Sequence, residues 1–313
     1  MAQKIASASI TASDAAAHNA HHAQLAGSLY VHNDGPEWSD ANPPVEDVLT
    51  GGSPTTLTGV VSVLNAARTL FNAHLGYYDT TATDHIYAHI ASDGVNPITT
   101  AAMSSAATYE TAMLSALITL AAEITTDYSA HIVYLTSHTI ADATNTVGTT
   151  YTMTTADHVA ERLNLLKALF NDHIILTTGT VHGSSGATDN CSTANCSATD
   201  YDSMITLANA LKAKLNAHAA QGSTIHLAAD AVNTVSTANV SYPAGIYDLG
   251  TEIISKFNSH FGSAVYHNLA DSTVISAATP STIAGLITLA AEVYTDLTAH
   301  LRAAPISRAV RRV

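Results

Sequence analysis

The chain has 313 residues, of which 47% are hydrophobic, only 6% aromatic and 12% charged, with a formal net charge of -14. That length admits one to three domains around a sizeable core, and the acidic balance makes nucleic acid an improbable partner, since phosphate neutralisation needs clustered Lys and Arg. No window reaches the roughly 20 apolar residues of a membrane helix and no signal-peptide core follows Met1, so the expectation is a protein made in the cytoplasm without a membrane span.

Residues 1–52 read as an irregular segment carrying a degenerate repeat that ends Asn19-Ala20-His21. His18 and His22 within it have the i, i+4 spacing that puts two rings on one helix face. From 53 to 302 the chain repeats itself. The segments ending Phe71-Asn72-Ala73-His74, Tyr128-Ser129-Ala130-His131, Phe170-Asn171-Asp172-His173, Leu215-Asn216-Ala217-His218, Phe257-Asn258-Ser259-His260 and Leu297-Thr298-Ala299-His300 are one motif, with histidine spacings of 57, 42, 45, 42 and 40.

Counting back from each histidine, apolar residues fall at positions 3, 7, 11 and 14, the rhythm of one helix face. Leu215, Leu211, Leu207 and Met204 before His218 are an example. The copy ending at His173 departs, with Arg162 on the stripe and Leu163 expected to substitute. Ser53-Pro54 and Thr279-Pro280 read as helix starts, a capping hydroxyl before a first-turn proline. The predicted fold is all-α, an up-and-down bundle or array of about six helix-plus-loop repeats forming one continuous domain.

Each helix is followed by a loop with a second histidine and then Asp and Asn. It reads His89-x3-Asp93-x2-Asn96, His138-x3-Asp142-x2-Asn145 and His226-x3-Asp230-x2-Asn233, with His267-x3-Asp271 lacking the Asn and His182 followed by Asp189 and Asn190 at altered spacing. Asp and Asn bond nearby backbone, so these loops are expected to hold a fixed shape. Cys191 and Cys196 lie five apart in one of them, which leaves a local disulfide and free thiols equally open. Residues 303–313 form a tail, and with Arg302 the last twelve positions hold four of the eleven basic residues, which suits either an unstructured end or an arm docking on an acidic neighbour.

Seventeen histidines in so uncharged a chain require a cause. The first reading is structural: the anchor His sits on the core stripe at a helix C-terminus and bonds a terminal carbonyl or the following loop, which the second His and the Asp clip back onto the helix end. No cofactor is then required. The second reading is a transition metal such as zinc, held by imidazole and carboxylate drawn from His18, His22, His74, His85, His89, Asp93, His131, His138, Asp142, His173, His182, His218, His226, Asp230, His260, His267 and Asp271. Against it stands the gap between anchor and second His, which varies from 7 to 15 residues. No phosphate-binding, nucleophile-elbow or zincin motif is present, and one candidate group spread over six equivalent places does not make an active site, so the expectation is not an enzyme.

The stretch from Leu207 to His218, with His226, Asp230 and Asn233 behind it, resembles the His-anchored helical repeat proteins of tailed bacteriophages. The likeness is one of repeat texture, runs from roughly residue 54 to 302, and carries no catalytic or binding residue across. It implies a structural subunit of the tail, neck or head exterior, located in a virion or similar extracellular assembly and partnered by its own copies and other virion proteins. A metal-binding repeat protein is the alternative from another class. An adhesin or receptor-binding fibre segment, using the loops as a contact surface, is the third.

Overall fold

A computed structural model describes residue 49 and residues 52–76, 92–177, 181–183, 186, 189–222, 225–263 and 274–302. His18, His22, His85, His89, His267 and Asp271 lie outside them, as do most of residues 1–52 and all of 303–313. Six helices and no strand are found among the described residues: α1 (Leu57–His74), α2 (Ala106–His131), α3 (Ala156–Ile174), α4 (Tyr201–Ala219), α5 (Asp248–Phe261) and α6 (Ile283–Arg302). The described residues are all-α and form helix bundles.

Hydroxyl and carboxylate caps start the helices. Thr56 accepts from the Gly59 amide, Ser105 from Thr108, Thr155 from His158 and Asp200 from Ser203. The expected Ser53-Pro54 and Thr279-Pro280 starts are each three residues early: Thr56 caps α1, and Thr282 accepts from the Gly285 amide of α6. Each proline ends the incoming segment and stands before the cap, where its missing amide costs nothing.

The apolar stripe is buried in every helix, including Phe71, Ala67, Val63 and Val60 of α1 and Leu297, Val293, Leu289 and Leu286 of α6. Arg162 is buried too, beside rather than replaced by Leu163. It donates to the Gly148 carbonyl at 3.0 Å and its guanidinium lies 4.4 Å from the centre of the Tyr151 ring, so its charge has both a hydrogen-bond acceptor and an aromatic face.

The helices fall into two compact units. The first takes α1, α5 and α6 from Ile287 onward; the second takes α2, α3 and α4 with Ser281–Leu286, and is inserted in the sequence between α1 and α5. In the second unit the residues three and seven places before each histidine, Tyr128, Ile124, Phe170, Leu166, Leu215 and Leu211, line one small apolar gap. The C-terminal histidines of its three helices meet as well, so the helices run parallel and in register, where the up-and-down expectation had them alternate. Parallel neighbours oblige each connection to return the full helix length, about 28 Å for 19 residues at 1.5 Å each. This is why segments such as 132–155 are long.

Return segments are clasped by asparagines on the flank of the helix they follow. Asn171 brackets the Cys191 peptide groups, donating to its carbonyl and accepting from its amide, and Asn164 does the same for Cys196. In the same way Asn216 holds Val235 and Asn209 holds Val240. In the first unit Asn72 holds Ile98 and Asn258 holds Ile275. A glutamate of another helix in the same unit grips the other side: Glu123 of α2 accepts from Ser236 and Thr237, Glu252 of α5 from Thr99 and Thr100, and Glu292 of α6 from Ser276 and Ala277. Although partial burial pulls Glu123 and Glu252 upward, these hydrogen bonds hold both carboxyls down to about 2.

Candidate histidine-core metal site

In the second unit the anchors His131, His173 and His218 are fully buried and the loop histidines His138, His182 and His226 nearly so. The sequence places each on its own repeat; the structure pools all six at one end of the bundle. Donor nitrogens of His131, His138, His173 and His218 lie within 4.8 Å of one another, as do those of His138, His182, His218 and His226. The first unit gathers His74, His260 and His300 within the same limit, with Nε2 of His74 and His300 3.0 Å apart. Pooling removes the objection from spacing, because the coordinating set is assembled across three repeats and each loop needs only to reach the shared axis.

The aspartates stand behind the rings rather than among the donors. Asp142 accepts from His173 Nδ1 at 2.9 Å, Asp230 from His131 Nδ1 at 2.9 Å, Asp189 from His218 Nδ1 at 3.4 Å, and in the first unit Asp93 from His260 Nδ1 at 2.8 Å. Each aspartate thus serves the histidine of a neighbouring helix. Its backbone, or that of Gly186 in the Asp189 loop, is what stays at its own helix: the amides of Asp93, Asp142, Asp230 and Gly186 donate to the carbonyls of Leu75, Ile132, Ala219 and Ile174. In the second unit the handover is cyclic. The segment after α2 serves α3, that after α3 serves α4, and that after α4 returns to α2.

The Asp-x-x-Asn pattern makes this possible. One oxygen of Asp142 accepts the amides of Thr144 and Asn145 while the other takes the Asn145 side chain and His173; Asp230 and Asp93 repeat the arrangement with Val232, Asn233 and His131, and with Val95, Asn96 and His260. Burial raises Asp142 and Asp230, but the hydrogen bonds outweigh it and hold both well below the ordinary carboxylate range. The departing Asp189 copy uses a different partner, the Gln221 side chain at 2.6 Å. Its altered spacing accompanies a tight passage at Gly186, where a Cβ would lie 3.1 Å from the Ile174 carbonyl oxygen and 3.3 Å from His218 Nδ1.

Burial, followed by the neighbouring imidazoles, pushes His138 down to about 3 and His182 to about 3, and lowers His218 further. Burial brings His173 down to about 4 against the pull of Asp142, and lowers His226 against the Gln221 carbonyl. These rings are neutral at pH 7 and carry lone pairs. With Nδ1 of His131 and His173 turned to a carboxylate, Nε2 of each faces the cluster with no hydrogen-bond partner, and neither nitrogen of His138 has one. Nδ1 of His218 faces Asp189 and Nδ1 of His226 faces the Gln221 carbonyl, so their Nε2 atoms, 3.2 Å apart, oppose lone pair to lone pair. A buried core of donor nitrogens, with His131, His173 and His218 fixed from behind by a carboxylate and His226 by a carbonyl, is chemically a cation-binding arrangement, and the buried clusters could hold a metal ion.

Cys191 and Cys196 are free and buried, in the loop positions that Val235 and Val240 occupy one repeat later, and so act as small apolar fillers. The Asn and Glu clasps were missed in the sequence reading. Their signal was present as Asn two and nine places, and Glu eight places, before a repeat histidine, on the flank of the apolar stripe. No helix among the described residues is long and apolar enough to cross a membrane. Comparisons with protein-family models, curated proteins and solved structures give no match.

Proposed function

We propose that the chain is a metal-fastened structural protein, in which a divalent transition-metal ion at each histidine core locks three parallel helices and their return segments together. The observation that carries this reading is the pairing of His131 and His173, each with Nδ1 bonded to a buried aspartate and Nε2 unpartnered in the core. Leaving buried acceptors unsatisfied costs about 1–3 kcal/mol each, and a cation shared among them offsets that cost. Elemental analysis of protein purified without chelator tests it: bound transition metal near two equivalents per chain, one per unit, is expected. Metal-free protein that takes up none on dialysis overturns it.

The structural half of the reading rests on composition. A surface poor in charge and rich in Ser, Thr, Asn and Ala suits repeated contacts with copies of the same chain, as in a virion or similar extracellular assembly. Sedimentation at rising concentration checks this, and a monomer throughout would count against it. The contact-surface reading of the loops has separate support: Val133, Leu135, Ile140, Leu227 and Val232 of the second unit are 51–71% exposed on segments that follow its helix ends. Changing Leu227 and Val232 to Ser should abolish association or attachment without lowering the melting temperature.

A further inference from the structure

The ring geometry of the second unit goes further than the presence of an ion. The anchors form one near-equilateral triangle, with ring centroids of His131, His173 and His218 5.2–5.5 Å apart. The loop histidines His138, His182 and His226 form a second, 4.9–5.1 Å on a side. Each anchor lies 4.5–4.7 Å from the histidine of its own loop, as for His131 with His138, His173 with His182 and His218 with His226. Each lies 5.1–5.2 Å from that of the loop whose aspartate serves it, as for His131 with His226, His173 with His138 and His218 with His182.

Two eclipsed triangles would make a prism, with each anchor over a single loop ring. Here each anchor sits between two, so the triangles are staggered. Every ring adjoins all the others but one, the opposite vertex being His182 for His131, His226 for His173 and His138 for His218. Those are the edges and diagonals of an octahedron. Imidazoles bound at about 2.1 Å to a central ion would put neighbouring ring centroids about 4.6 Å apart, within the observed 4.5–5.5 Å.

Resting on the reading above, we propose that the six histidines of the second unit are one octahedral, all-imidazole centre selective for a divalent ion of the iron, cobalt and nickel group. Three considerations narrow the class. Structural zinc is four-coordinate and gains nothing from an octahedral field, copper(II) prefers tetragonal geometry, and magnesium, calcium and manganese prefer oxygen donors. Imidazole nitrogens in an octahedron leave iron(II), cobalt(II) and nickel(II).

Cobalt(II) is the probe, because its visible spectrum separates six-coordination, with weak bands, from four-coordination, with intense ones. It is titrated into the full chain carrying His300→Gln, which removes a donor from the first unit and leaves all six in the second. The wild-type chain is titrated in parallel below one equivalent, in case the variant does not fold. Weak bands that saturate at one equivalent, and displacement of cobalt by nickel but not by equimolar zinc, are expected. Intense bands would overturn six-coordination while leaving a metal-fastened core standing, and no cobalt uptake by either protein would overturn both.

Discussion

Asp142 reaches His173 on the next helix at 2.9 Å while its own amide is held 2.8 Å from the Ile132 carbonyl at the end of α2. One residue therefore joins two helix ends. Asp142→Asn keeps the acceptor for the Thr144 and Asn145 amides but sets an amide donor against the His173 N–H. Loss of a buried hydrogen bond to a charged acceptor should lower stability by roughly 1.5–3 kcal/mol in urea unfolding of metal-free protein. A change within error would mean the carboxylate is not what fixes the ring.

Metal should raise stability by mass action. At free nickel one hundred times the dissociation constant, the folded state gains about 2.7 kcal/mol per site, provided the unfolded chain does not bind. Scanning calorimetry with nickel and with chelator should show a higher midpoint in the first. Coincident curves would contradict a fastening role even if metal binds.

Acid should weaken the metal-free protein over a defined window. His138, His173 and His182 titrate at about 3 to 4 in the fold, below their unfolded value of 6.5. Between those limits the unfolded chain holds protons that the folded chain refuses. Stability is complete above pH 6.5 and falls as pH drops, by about 1.4 kcal/mol per pH unit for each such group. Asp142 and Asp230, lowered in the fold, contribute stability above their ordinary value of 3.8 that is lost at still lower pH. Chelator-treated protein should therefore melt progressively earlier from pH 7 to 4.5, and a flat profile would show the rings to be solvated or charged.

The side-chain clasps should hold the return segments locally. Asn216→Ala removes both bonds to Val235, at a cost of about 1–3 kcal/mol, and should speed amide exchange around residues 235–240 more than in α4 itself. Uniform acceleration across the second unit would mean the segment is held by packing alone.

Cys191 and Cys196, each held through its backbone by an asparagine, should resist alkylation in the folded protein and react fully in denaturant without reductant. Reaction only after reduction would reveal a disulfide.

The helices were legible because a stripe at positions 3, 7, 11 and 14 before each histidine has one physical cause, burial of one face. So was the fixed shape of the Asp-x-x-Asn loops. Helix direction was not read, although connections such as 132–155 far exceed the few residues that antiparallel neighbours need. Nor was the pooling of histidines, since periodicity places residues on a face and says nothing of which faces converge. The two units follow contacts, with no composition break at Ala102 or Asp248 to mark them. Asp189 and Arg162 broke the repeat, and each found a partner, Gln221 and the Gly148 carbonyl, that no pattern predicts.

The order in which partners are synthesised follows from the cyclic handover. His131 receives its carboxylate from Asp230, 99 residues later, so the histidine core of the second unit cannot close until α4 and its return have left the ribosome, and that core takes no residue from α5 or α6. His74 meets His300 only after 226 residues. The nested core therefore forms first, and α1 waits for its companions with an uncovered apolar face, the stage of biosynthesis most exposed to aggregation.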